Sequence, residues 1–176
     1  MVIYFLRHAS AGERVMNPKK DEKRALDQTG IEQCGYVGRA LAALDVHVDV
    51  IISSPLKRAT QTASLVGNEM GYEGKLVVED ALKPGASFDD FRRLVDKYAK
   101  REAIMVVGHN PNLSEFLGRS ISESGCEASF DFKKGAVARV ETSRNSGTLT
   151  WCMTPKVLRT LYVAATESSR PKTSPK

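Results

Sequence analysis

Val2-Ile3-Tyr4-Phe5-Leu6 is an unbroken apolar run that stops at a cation, Arg7, and an imidazole, His8. A strand with one wet face alternates polar and apolar residues. A continuous stretch of β-branched and aromatic residues instead belongs to a strand covered on both faces, at the centre of an α/β sheet. This stretch therefore calls for helices on both sides of a sheet, and it puts Arg7 and His8 where the strand runs out. Open α/β folds bind ligands at that carboxyl edge, because loops and helix N-termini converge there with unpaired N–H groups. His8 is accordingly the candidate nucleophile. Alone, such a pair is more often an ordinary strand-end charge beside a hydrogen-bonded loop histidine, so the later segments decide.

A chain of 176 residues, 41% apolar and 27% charged, suits one domain with a sizeable core. The five apolar residues before Arg7 are too few for a signal peptide. No run approaches membrane-spanning length, so a cytoplasmic protein with no membrane attachment is expected. Cys34, Cys126 and Cys152 are odd in number and lack C-x-x-C spacing, which predicts three reduced thiols rather than disulfides or a zinc ribbon. His8, His47 and His109 are scattered, so no metal site is indicated, and no cofactor is called for. The formal charge of +5 is raised by Arg170, Lys172 and Lys176 in the tail. A mild positive balance is compatible with anionic substrates. No basic stripe interleaved with aromatics argues for nucleic acid.

Along the chain, residues 9–25 read as a polar loop whose mixed run Lys19-Lys20-Asp21-Glu22-Lys23-Arg24 marks solvated chain, although Arg24 is placed to reach the pocket. A helix follows, capped by Asp27 or Thr29, with Ile31, Cys34, Gly38, Leu41 and Ala42 as a small apolar face that packs close to the sheet. Residues 48–53 are the second strand, and Ser54-Pro55 reads as an N-cap followed by proline at the first helical position. Leu56, Ala59, Ala63, Val66 and Met70 form the buried stripe of that helix, and Arg58 in its first turn arrives at the same sheet edge as His8. A short strand over 76–78 leads through a turn-rich loop to Ser87. Ser87 caps a helix buried through Phe91, Leu94, Val95 and Tyr98. Residues 103–107 are a further buried strand, after which Gly108-His109-Asn110-Pro111 brings a second imidazole to the edge, with Asn110 able to cap and Pro111 opening a helix. Residues 121–127 read as an irregular loop, and 136–140 with 148–153 as a hairpin across Asn145-Ser146-Gly147. The expected fold is a three-layer α/β/α sandwich on a largely parallel sheet with a C-terminal antiparallel hairpin. The domain is expected over 1–160, with a disordered tail over 161–176.

Separate strand ends thus deliver Arg7 with His8, Arg58, and His109 to one region. Guanidinium forks bind phosphate oxygens bidentately and stay charged, and phosphoryl transfer needs positioning and charge stabilisation above all. A neutral imidazole is a competent nucleophile toward phosphorus.

Three segments, Leu6-Arg7-His8-Ala9, Ser53-Ser54-Pro55-Leu56-Lys57-Arg58-Ala59-Thr60-Gln61-Thr62 and Val107-Gly108-His109-Asn110-Pro111, closely resemble the core motifs of the histidine phosphatase superfamily, the phosphoglycerate mutase-like fold. The short chain, Ala9, and the stretch from Gly135-Ala136-Val137-Ala138 to Trp151-Cys152-Met153-Thr154-Pro155 are similar to the SixA-type phosphohistidine phosphatase branch. The likeness runs to about residue 158. It implies a phosphatase that is phosphorylated on His8 while Arg7, Arg58 and His109 hold the phosphoryl oxygens. Where relatives tend to have Leu-Thr before the first helix, this chain has Leu26-Asp27.

A carboxylic acid to protonate an alkoxide leaving group is harder to assign. Glu79, Asp80, Asp89 and Asp90 are the candidates, although Asp89 and Asp90 suit a helix first turn and Glu79-Asp80 a solvated strand end. Phosphohistidine carries a better leaving group and needs less help. The loops after His8 and Val78 are too short for a substantial lid, so an open pocket is expected, suited to a phosphorylated side chain of another protein. The expected activity is that of a metal-independent protein phosphohistidine phosphatase acting as a monomer. Two alternatives stay open. One is a phosphomonoesterase for a small sugar or isoprenoid phosphate, and the other is a phosphoprotein-binding module without turnover.

Overall fold

The computed structural model describes residues 1–122, 128–143 and 147–168. Its strands are β1 (Val2–Arg7), β2 (Val50–Ser53), β3 (Val77–Val78), β4 (Ala103–Gly108), β5 (Val137–Thr142) and β6 (Gly147–Met153), in one sheet ordered β3-β2-β4-β1-β5-β6. The first four run parallel; β5 is antiparallel to β1, and β6 to β5. Helices are α1 (Pro18–Glu22), α2 (Gln28–Ala43), α3 (Lys57–Glu69), α4 (Phe88–Lys97), α5 (Asn112–Ile121) and α6 (Pro155–Ser168). The α/β sandwich with a mostly parallel sheet and a terminal hairpin is as the apolar runs predict.

Alternation along the strands explains the layers, because successive side chains point to opposite faces. Ile3 and Phe5 of β1 join Val50, Ile52, Ile104 and Val106 beneath α4 and α5. Tyr4 and Leu6 join Ile51, Met105 and Val107 beneath α2, α3 and α6. Helices on both faces are why β1 carries no polar residue before Arg7. On the α4–α5 side the rings of Phe91 and Phe116 stack with centroids 4.7 Å apart.

Several local expectations are corrected. Ile31 and Ala42 of α2 are exposed; Gly30 and Val37 are buried instead, with Cys34, Gly38 and Leu41. The small face of α2 serves its approach to α3 as well as to the sheet, since a Cβ on Gly38 would overlap the side chain of Glu69. The tail does not begin at 161, because α6 continues through Ser168. Leu158 is buried, Tyr162 meets Tyr36 edge-on at 5.9 Å, and the Arg39 guanidinium lies over both rings. These contacts come from α2, far away in sequence, so local composition does not reveal them. Residues 169–176, most of the expected loop at 121–127, and Asn145 and Ser146 of the hairpin turn lie outside the described residues. Cys34 and Cys152 are free thiols, and Cys126 also lies outside the described residues. Among the described residues, no helix is long and apolar enough to cross a membrane.

Candidate active site

β1, β4 and β2 are neighbours in the sheet, so residues just past their ends converge although they lie far apart in sequence. The imidazoles of His8 and His109 face each other with centroids 4.9 Å apart. His8 is only 7% exposed, His109 3% and Arg58 6%. The site is therefore less open than its loop lengths suggest.

Each member is held by a specific partner. His8 Nδ1 lies 2.8 Å from the carbonyl oxygen of Ala9, so Nδ1 must carry the proton and Nε2 keeps its lone pair. Nε2 of His109 lies 2.8 Å from Ser54 Oγ. Arg7 donates from Nη1 to the carbonyl oxygen of Phe132 at 2.7 Å, and Asn110 Nδ2 donates to the same oxygen at 3.0 Å. Arg58 donates from Nη1 to the Asp21 carbonyl oxygen at 2.9 Å and lies 3.2 Å from its carboxylate. Among the described residues, the buried nitrogens without a partner are Arg7 Nε, Arg58 Nε and His109 Nδ1, beside two oxygens, Asn110 Oδ1 and Ser114 Oγ. Buried polar groups are nearly always satisfied in a folded protein, so orphans gathered in one place mark where a ligand's atoms belong.

The electrostatics fit an anion. Burial pushes the His8 imidazole down to about 3, with Arg58, Arg7 and Lys134 acting in the same direction against the Ala9 hydrogen bond. Burial, then the neighbouring His8, Arg58 and Arg7, pushes His109 down to about 2. Both rings are neutral at pH 7, while the guanidiniums supply positive charge.

The loop after His8 is organised by Asp27, which caps α2 as the sequence led us to expect, and by Thr62, whose bonds sequence reasoning misses. Asp27 caps α2 through the Gly30 N–H at 2.7 Å, and the same carboxylate accepts from Ser10 Oγ at 2.8 Å and Gly12 N–H at 2.7 Å. Gly30 is required there, because a Cβ would overlap the Ser10 carbonyl oxygen. Thr62 Oγ1 donates to the Arg58 carbonyl oxygen at 2.7 Å and accepts from Ala9 N–H at 3.0 Å, tying α3 to the residue after His8. Its place four residues after Arg58 is the only signal the sequence offers.

The charged run at 19–24 is not simply solvated chain. Pro18–Glu22 forms α1, and Asp21 Oδ1 accepts from Arg24 Nε at 2.9 Å. Arg24 also donates from Nη1 to the carbonyl oxygens of Ala11 at 2.7 Å and Gly12 at 3.1 Å. Arg24 thus reaches the site as a brace, with Asp21 between it and Arg58. Ser54 does not cap α3, which begins at Lys57 with no side-chain cap; its hydroxyl is engaged by His109. Nor does Asn110 cap α5, since its amide is taken by Phe132.

None of the acid candidates bonds to Arg7, His8, Arg58 or His109 through its carboxylate. Glu79 follows β3, next to β2, its N–H donates to the Ser53 carbonyl oxygen at 2.9 Å, and its carboxylate pairs with Lys97 at 2.5 Å. Asp80 pairs with Lys83 at 2.9 Å. Asp89 is exposed in the first turn of α4, and Asp90 forms the capping box with Ser87. His47 is exposed and bonds only to Asp45. No cluster of metal-ligating side chains occurs among the described residues.

A three-layer α/β fold thus brings two neutral imidazoles, the buried guanidinium of Arg58 and the half-buried one of Arg7 to its carboxyl edge, an arrangement that suits a phosphoryl group. Residues 3–84 match the model of the histidine phosphatase superfamily (branch 1). The chain is 33% identical over 119 residues to an uncharacterized protein of Picosynechococcus sp., covering 66% of this chain and 70% of that one. It is 36% identical over 85 residues to the serine/threonine-protein phosphatase Pgam5, mitochondrial, of Drosophila persimilis, covering 48% of this chain but only 28% of that protein. Among solved structures, the protein histidine phosphatase SixA complexed with tungstate superposes with a TM-score of 0.80 at 22% identity, covering 90% of this chain and 99% of that one. The chain belongs to the histidine phosphatase superfamily.

Proposed function

We propose that the protein is a phosphatase that works through a phosphorylated His8, and that its substrate is phosphohistidine on another protein. The observation that carries the reaction class is the set of orphaned donors on Arg7, Arg58 and His109 around a histidine whose Nε2 lone pair is free.

In the first step His8 Nε2 attacks phosphorus, and the bond to the leaving group breaks with its electron pair. Arg7 and Arg58 hold the phosphoryl oxygens. With the Ser54 hydroxyl donating a hydrogen bond to Nε2, His109 carries its proton on Nδ1 and donates from there. Charge developing on those oxygens meets donors already in place, which is where such sites gain most of their rate. In the second step water attacks the phosphorylated ring, phosphate leaves and the free imidazole returns.

The substrate follows from the carboxylates. Burial alone would raise the Asp21 carboxyl, but hydrogen bonds from Val15 N–H and Arg24 and the charge of Arg58 outweigh it and hold it below the usual range. Asp27 is likewise held down, against burial, by Ser10, Gly30 and Gly12. Both carboxylates whose hydrogen bonds reach the site are therefore ionised and have no proton to give an alkoxide. An imidazole protonated at its far nitrogen leaves as a neutral molecule and needs none. SixA, one of several solved structures with a similar fold, is a protein histidine phosphatase, which supports the same reading.

Replacing His8 with Ala is expected to lower turnover of p-nitrophenyl phosphate by at least ~10³-fold and to abolish acid-labile label on the protein. Wild-type rates in the variant would overturn the mechanism. A module that only binds phosphoproteins would acquire no label. Comparing a phosphohistidine carrier protein with sugar and isoprenoid phosphates separates the proposed substrate from a small phosphomonoester.

A further inference from the structure

One layer of residues away from the phosphoryl site lies a groove that the chemistry above does not use. Between α2 and the first turn of α6 lies a hollow of about 230 Å³ whose walls include Gln33, Tyr36, Pro155, Lys156 and Arg159. Its inner wall is one layer of residues from the nucleophile. Gln33 Oε1 accepts from the Ser10 N–H at 2.9 Å, two residues past His8. Gln33 and Pro155 also flank Gly135, whose own N–H lies 3.2 Å from the carbonyl oxygens of Arg7 and His8.

Positive charge predominates along this path, with Glu32 as the carboxylate in the groove's lining. Lys134 precedes Gly135 and acts electrostatically on both His8 and Asp27. Farther out, Lys156 and Arg159 are exposed and three residues apart, so they share one face of α6. Neither they nor Lys134 has an ion-pair partner among the described residues. The groove's carboxylate, Glu32, accepts a hydrogen bond from Gln28 at 3.1 Å. Unpaired cations thus lead from the site across roughly one helix width, ~10 Å.

We infer that the α2–α6 groove docks an acidic segment flanking the phosphorylated residue of a protein substrate, with Lys134, Lys156 and Arg159 as its cationic contacts. This rests on the reading of phosphohistidine protein as substrate. At ~3.3 Å per extended residue, the acidic positions lie about three to five residues from the phosphorylated one. Exposed ion pairs are individually weak, so the groove supplies a preference of about 10-fold rather than an absolute requirement.

The test uses two short phosphohistidine peptides that differ only in carrying Glu or Ser at those positions, together with p-nitrophenyl phosphate. The wild-type protein should show about 10-fold higher kcat/KM on the Glu peptide. The double variant Lys156→Glu, Arg159→Glu should lose that preference while hydrolysing p-nitrophenyl phosphate normally. Lys100→Glu with Arg101→Glu makes the same charge change beside the amino end of β4, away from the groove, and should keep the preference. Equal wild-type rates on the two peptides, or equal loss in both double variants, overturn the groove and leave the phosphohistidine reading standing. If the wild type hydrolyses p-nitrophenyl phosphate but neither peptide, the substrate reading fails. Fluorescence anisotropy of labelled, unphosphorylated peptides then decides the groove. Tighter binding of the Glu peptide that only the α6 variant loses upholds it; equal binding of both peptides overturns it.

Discussion

Asp21 sets the arginine geometry, although it sits in a stretch whose composition reads as ordinary surface. Its carboxylate and carbonyl hold Arg58 from one side, and its other carboxylate oxygen holds Arg24. Without that charge, two guanidiniums face each other and Arg58 loses its fixed rotamer. Asp21→Asn is expected to lower kcat/KM for p-nitrophenyl phosphate by ~10-fold through loss of orientation, with partial recovery in Asp21→Glu. An unchanged rate would mean that Arg58 is positioned by its neighbours on α3. The two histidines make a different prediction. Unfolded, each has a pKa near 6.5; folded, they lie at about 3 and about 2. Lowering the pH through that window protonates the unfolded chain first, so stability is complete above pH 6.5 and falls as pH drops toward 3. Urea midpoints at pH 7, 5.5 and 4 should decline in that order, and His8→Asn should flatten the decline. At this scale the sequence reveals residues whose address is a strand end: His8, Arg7, His109 and, one turn on, Arg58. It conceals Asp21, Ser54 and Thr62, because their partners are assembled only by the fold.

Among the elements, α2 bears closely on the site, since its first turn presses on the loop after His8. The Asp27 cap and the missing side chain at Gly30 allow that contact. Gly30→Ala should cost ~1–3 kcal/mol of stability and slow turnover together, because the Ser10 carbonyl must move. Gly35→Ala meets only the flexible end of Arg39 and should be neutral or stabilising by up to ~1 kcal/mol. Chemical denaturation of the two variants checks both signs. The strands were legible because their apolar runs are continuous, and α3, α4 and α5 because apolar residues recur at helical spacing. α6 was not legible in the sequence for a physical reason: much of its apolar surface, including Leu161 at 61% exposure, stays uncovered, and what fixes it is Arg39 and Tyr36 on another helix.

For the molecule as a whole, the site edge collects more positive than negative charge. Arg7, Arg24 and Arg58 are joined there by Lys57 at the start of α3 and by Lys134, within a chain of net charge +5. Such a field steers polyanionic partners and is screened within about 8–10 Å at ordinary ionic strength. Raising salt from low to high should therefore lower kcat/KM on an acidic phosphoprotein while leaving kcat nearly constant. A parallel fall in both would place the salt effect on the chemical step. The topology has a further consequence in the cell. β1 is made first, yet it lies between β4 and β5, whose residues begin at 103 and 137. A ribosome adding about 5–20 residues per second keeps this apolar segment waiting for at least several seconds before either neighbour emerges. During translation, the stretch bearing His8 is held without either sheet neighbour for that time, and the site stays unassembled until nearly the whole domain has left the exit tunnel.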